Sequence, residues 1–182
     1  MKSLTLLGTC WTVLLVGTLT GCSGAPVKSP DVAGNVRQSL DQAGFKDVSV
    51  SQDRDKGVVT LSGHVGADVD KAQAESITKS FAGAQVVSDQ IAVIPPGVES
   101  EAKAVNADLD QGIDKNLDAT LIQSNLKKGV KYGVKNGVVT LTGEVNSQAR
   151  RARVESMAAG VPHVQQVVNE LEVTNQKATS TN

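Results

Sequence analysis

The chain has 182 residues, 40% hydrophobic and 20% charged, with 18 Lys and Arg against 19 Asp and Glu for a formal charge of −1. That length holds one ordinary domain or two small ones, and the composition is globular rather than disordered. Aromatics make up only 2%, which argues against a stacking platform for single-stranded nucleic acid, as near-neutral charge argues against a strong duplex binder.

In chain order, Lys2 precedes an uncharged apolar run from Leu4 to Leu19, the pattern of a secretory signal. The run closes on Leu19-Thr20-Gly21-Cys22, which resembles the lipobox of bacterial lipoproteins. That resemblance implies a signal peptide over 1–21, a diacylglyceryl group on the Cys22 thiol and a tether over 22–30. Ser23 rather than Asp follows the cysteine, which in enteric bacteria implies an outer-membrane anchor facing the periplasm. The competing readings are an uncleaved anchor or a plain signal with an incidental cysteine, although a span needs about 20 apolar residues. Cys10 and Cys22 are the two cysteines, so the processed chain has no thiol left for a disulfide.

Everything downstream is one pattern written twice. Gly57-Val-Val-Thr-Leu-Ser-Gly-His-Val65 returns as Gly137-Val-Val-Thr-Leu-Thr-Gly-Glu-Val145. Val87, Ile91 and Val93 match Val167, Leu171 and Val173 in the same register, and upstream Val36 and Leu40 match Leu117 and Leu121 with a shift of one. The first copy covers 31–94 and the second 113–174, each small for a domain.

Within a copy, Val32, Val36 and Leu40 line one face of a helix that Gly44 ends. A strand from Val48 follows, and a turn at Asp55-Lys56-Gly57 is matched by Asn136-Gly137, a strong hairpin signal. The next strand alternates, with Val59, Leu61 and Val65 opposite Val58, Thr60, Ser62 and His64, so the sheet should be covered on one face only. A helix over about 68–82 has Ala74, Ile77 and Phe81 inward, and its twin uses Val154, Met157, Ala158 and Val161 after a Ser147 cap. Continuous last strands are expected over Val86–Ile94 and Gln165–Val173. The fold class is α+β: two tandem helix-strand-strand-helix-strand modules, each with two helices on one face of a three-stranded sheet.

That order, the Gly-Val-Val-Thr-Leu-x-Gly-x-Val strand and the closing Val167-x-Asn169-x-Leu171-x-Val173 resemble the BON domain, the bacterial osmotic-shock and nodulation module. Asp89 stands where the second copy has Asn169. Between the copies, 95–112 is a linker in which Ala102, Val105 and Leu109 continue as a helical stripe into Ile113 and Leu117, so one helix should run to about Leu126. The polar tail 175–182 should be disordered.

No catalytic constellation is apparent. His64 and His163 occupy different places in their modules, and no cysteine accompanies them for a metal site. Ser62 and His64 lack a nucleophile elbow, and no phosphate-cradling glycine pattern occurs. A non-enzyme without cofactor is expected.

Charge is the informative feature. The first copy carries 6 basic and 9 acidic residues and the second 8 and 6, so the neutral chain divides into an acidic and a basic module. Lys127 and Lys128 follow the second module's first helix, where cations suit the dipole. Arg150, Arg151 and Arg153 lie in the first turns of its other helix, where the dipole disfavours them. The BON resemblance implies binding to anionic phospholipid membrane and a role in envelope integrity, with Leu121, Ile122, Leu126, Lys127 and Lys128 beside the three arginines as the lipid-binding set. The alternative is an adaptor that takes an envelope protein partner on an open sheet face or edge. Oligomeric state is left open by the sequence.

Overall fold

The computed structural model describes residues 28–174. The signal peptide, Cys22 with its lipobox and the tail from Asn175 lie outside the described residues. The elements run α1 (Ala33–Gln42), β1 (Val48–Asp53), β2 (Val58–Val65), α2 (Asp68–Ala82), β3 (Val86–Asp89), β4 (Ala92–Val93), α3 (Glu99–Gln123), β5 (Val130–Lys135), β6 (Val138–Val145), α4 (Gln148–Ala159), β7 (Gln166–Asn169) and β8 (Glu172–Val173). Each module is a mixed sheet with its two helices packed on it. β2 is central, antiparallel to β1 and parallel to β3 and β4, and β6 repeats this with β5, β7 and β8.

The strand phase follows the alternation. Val59, Leu61, Val139 and Leu141 are each fully buried against the helices. Asn136 and Gly137 both take positive φ, as the two-residue hairpin requires. At Gly143 the chain passes so close to β5 that a Cβ would sit 2.3 Å from the Gly129 carbonyl oxygen, so only glycine fits. Its twin Gly63 meets the Asp47 carbonyl in the same way.

Both modules end their first helix alike. In the second, Asn125 takes φ +55°, Leu126 N–H donates to Leu121 C=O at 2.8 Å and Asn125 N–H to Ile122 C=O at 3.0 Å. This is the Schellman arrangement, which brings the residue after the cap onto the last helical turn. Gly44, Phe45 and Leu40 repeat it in the first module.

Four expectations need correction. The long helix ends at Gln123 rather than near Leu126, because Asn125 turns the chain. The inner stripe of α2 is Ala74, Thr78 and Ala82, with Ile77 packed half-buried against the same core as expected, while Phe81 stays partly exposed. Thr78 tolerates burial because its hydroxyl donates to the Ala74 carbonyl at 2.9 Å. The last strands are each broken in two. Asp89 Oδ1 accepts from Ile91 N–H at 3.1 Å, and Asn169 Oδ1 from Leu171 N–H at 3.2 Å. Each side chain breaks the ladder and turns Ile91 or Leu171 into its core. Finally, the helix-free faces are not open throughout. Val58, Val138 and Val168 bury one another where the two modules meet, so part of each sheet is covered on both sides.

Candidate functional site

Five of the second module's eight basic residues, Lys127, Lys128, Arg150, Arg151 and Arg153, lie just past the end of α3 or in the first turns of α4. Ser147 caps α4, its hydroxyl accepting from Arg150 N–H at 3.2 Å. The Arg150 guanidinium then reaches the loop after α3 and donates from Nη2 to the carbonyls of Leu126 at 3.2 Å and Lys128 at 3.0 Å. Arg151 donates to the Asn169 carbonyl at 3.0 Å, and its Nε is buried without a partner among the described residues. Backbone carbonyls therefore explain two of the three arginines placed against the helix dipole. Arg153 is exposed.

Lys127 is also engaged. Its Nζ lies 2.6 Å from Asp118 Oδ1 and 4.2 Å from the centre of the Tyr132 ring. The Asp118 hydrogen bond holds the ammonium above the ordinary lysine range, and that bond together with the Tyr132 hydroxyl holds the Asp118 carboxyl below its own. Leu121 and Leu126 are core residues, not a lipid-facing edge, because the Schellman turn packs them on each other and into the sheet. What faces solvent is Ile122, 56% exposed, with Lys128 and Arg153. The structure thus brings Lys128 and Arg150 together, leaves Ile122 and Arg153 free at the surface, and assigns Leu121, Leu126, Lys127 and Arg151 structural contacts.

The contact between modules has its own polar chemistry. β3 and β7 meet along their outer edges. The Gln166 amide donates to the Val87 carbonyl at 2.6 Å and accepts from Asp89 N–H at 3.0 Å. One side chain thereby pairs with a strand edge as a neighbouring backbone would. Lys56 pairs with Glu172 across the same boundary. From α3, the Asp110 carboxylate accepts from the N–H groups of Asn136 at 2.7 Å and Gly137 at 2.9 Å, and Asn136 Nδ2 donates to the Gln90 carbonyl at 2.8 Å. A pocket of about 370 Å³ opens here, with Lys71, Asp110, His163 and Gln165 among its walls. Sequence reading foresaw none of these contacts, since the partners lie in other elements. Among the described residues no group of three or more His, Cys, Asp or Glu could hold a metal ion, and no helix is long and apolar enough to cross a membrane.

The BON domain family model matches twice, over residues 29–95 and 109–175. The chain belongs to the BON domain family. Its two BON modules are similar to osmotically-inducible protein Y of Escherichia coli (strain K12), with 31% identity over 141 residues, 77% of this chain and 70% of that protein. Among solved structures, the C-terminal domain of CdsD, the structural protein of the type III secretion system of Chlamydia trachomatis, overlays with a TM-score of 0.34 at 16% identity. That overlay covers 81% of this chain and 99% of that domain. A second CdsD structure gives 0.35 at 17% identity, covering 79% and 92%.

Proposed function

We propose that this BON protein works in the bacterial envelope. Lipid on Cys22 holds it at the outer membrane, facing the periplasm, and its second module engages anionic phospholipid in support of envelope integrity. The observation that carries this reading is the corner at which Arg150 holds the Lys128 loop beside exposed Ile122, with Arg153 one turn further along α4. Each cation near an anionic surface contributes about 1 kcal/mol, fading within a Debye length. Such weak attraction suffices for a tethered module, because the anchor holds it at high effective concentration near the membrane. The similarity to an osmotically inducible protein supports an envelope-stress setting.

Co-sedimentation of residues 28–174, which carry neither the signal peptide nor the Cys22 lipid, with phosphatidylglycerol vesicles tests the lipid step. Lys128→Glu with Arg153→Glu should weaken binding severalfold without changing the fold, since both side chains are exposed. Lys127 and Arg151 are unsuitable targets because both make structural contacts. Binding that persists in high salt, or in the double variant, contradicts this reading. For the anchor, Cys22→Ser should leave an unprocessed precursor absent from the outer membrane, read by mass spectrometry and fractionation. A normally lipidated and sorted Ser variant would refute it.

A further inference from the structure

The two modules contain an internal comparison. β1 and β5 are outer edge strands, each paired on one side only. Alternate residues of an antiparallel strand turn their N–H and C=O groups toward the partner, and the others turn them away. The bond from Glu144 N–H to the Gly129 carbonyl sets the phase in the second module. It directs the backbone groups of Tyr132 and Val134 outward. In the first module, the bond from His64 N–H to the Asp47 carbonyl likewise directs Val50 and Gln52 outward.

β1 is closed. Arg37 Nη2 donates to the Val50 carbonyl at 3.0 Å. Past it, Ser29 N–H donates to the Arg54 carbonyl at 2.9 Å and the Gln52 amide to the Pro30 carbonyl at 2.7 Å, so 28–30 straps the strand's end. β5 has neither guard. The counterpart of Arg37 is Asp118, which turns to Lys127 and Tyr132, and α3 runs on where the first module has its strap. Among the described residues, no hydrogen bond reaches the outward backbone groups of Tyr132 and Val134.

Charge selects the occupant. Lys131 and Lys135 are exposed on the helix-free side of this edge, while Tyr132 and Val134 are half-buried on the other. Two lysines disfavour pairing with a second β5, because like charges on adjacent strands repel. They favour a strand carrying carboxylates. The chain's own ends do not qualify, since 1–27 and 175–182 contain no Asp or Glu. We propose that β5 accepts an extended acidic segment of a partner protein as an added strand. Its carboxylates lie beside Lys131 and Lys135 and its apolar residues beside Tyr132 and Val134.

The probe is a peptide of about ten residues, long enough for an ordinary strand, alternating Glu and Val, with a Lys-Val peptide as counterpart. On the full chain, the Glu peptide should slow amide exchange at Tyr132 and Val134 about tenfold. Val50 should be unaffected, and the Lys peptide inactive. Lys131→Glu with Lys135→Glu should remove the protection while circular dichroism stays native. No protection at millimolar peptide, equal protection of Val50, or protection that survives charge reversal overturns the proposal. Slowing of the same amides by phosphatidylglycerol vesicles instead of peptide would assign the edge to a membrane and overturn it too.

Discussion

Asp89 and Asn169 do the same backbone work at equivalent positions, but only Asp89 carries a charge. Burial is the largest influence on Asp89 and pushes its carboxyl above the ordinary range, with Glu75 adding to the rise and the Ile91 N–H and Lys71 opposing it. In the second module, Asn169 Nδ2 instead donates to Glu155 at 2.8 Å, so the neutral amide turns a repulsion into a hydrogen bond. A carboxyl whose folded pKa is raised gives stability that is complete below its unfolded pKa of about 3.9 and lost as pH rises through the folded value. Asp89→Asn should therefore stabilise the protein near neutral pH by about 1 kcal/mol, the usual net worth of a hydrogen bond. That gain should shrink as pH falls and Asp89 protonates. Denaturant titrations at neutral pH and near pH 3 check this, and an Asn variant no more stable at neutrality contradicts it.

Among the elements, α3 spans two environments. Ile113, Leu117 and Leu121 are buried in the second module, whereas Val105 and Leu109 upstream are 57% and 42% exposed. The upstream half is held in place through Asp110, whose two oxygens grip the β5–β6 turn. Gly112 makes the junction between the halves the weakest point of helix propensity. Asp110→Ala leaves two turn N–H groups without their acceptor, a loss of about 1–3 kcal/mol where they stay shielded from water. The expected signature is local: amide exchange should accelerate over 99–112 and in the turn at Asn136, with 113–123 little changed. Uniform acceleration along all of α3 would show that the helix opens as one unit.

Over the whole molecule, the modules join through a small apolar contact and a polar edge rather than through a shared core. Val168 is almost completely buried there, against Val58 and Val138, yet belongs to neither module's main core. Val168→Asp places a charge in that contact without opening either core, and a buried unpaired charge is strongly unfavourable. The modules should separate while each keeps its secondary structure. Small-angle scattering should report a larger radius of gyration with unchanged circular dichroism, and thermal unfolding should lose cooperativity. An unchanged radius would mean that Gln166 and the Lys56–Glu172 pair hold the modules together without the valines.

The sequence by itself determined whatever is written at short period. The repeat, the strand phase that buries Val59 and Leu61, the Asn-Gly turn, the helix stop at Gly44 and the Ser147 cap all follow from residues a few positions apart. The second helix stop was less legible, because Asn125 is a rarer left-handed cap than glycine, so Leu121 and Leu126 read as surface beside Lys127. Only the tertiary structure decided which residues meet across the chain. Gln166 finds Val87 and Asp89, Asp110 finds the turn beyond β5, and Arg150 finds the carbonyls that cancel its unfavourable place on the dipole. Val58 and Val138 show the limit most plainly, since each sits in the polar phase of its strand and is buried by the other module. Hydrophobic period reports which way a side chain points from its own backbone, and nothing in that period encodes what surface waits on the other side.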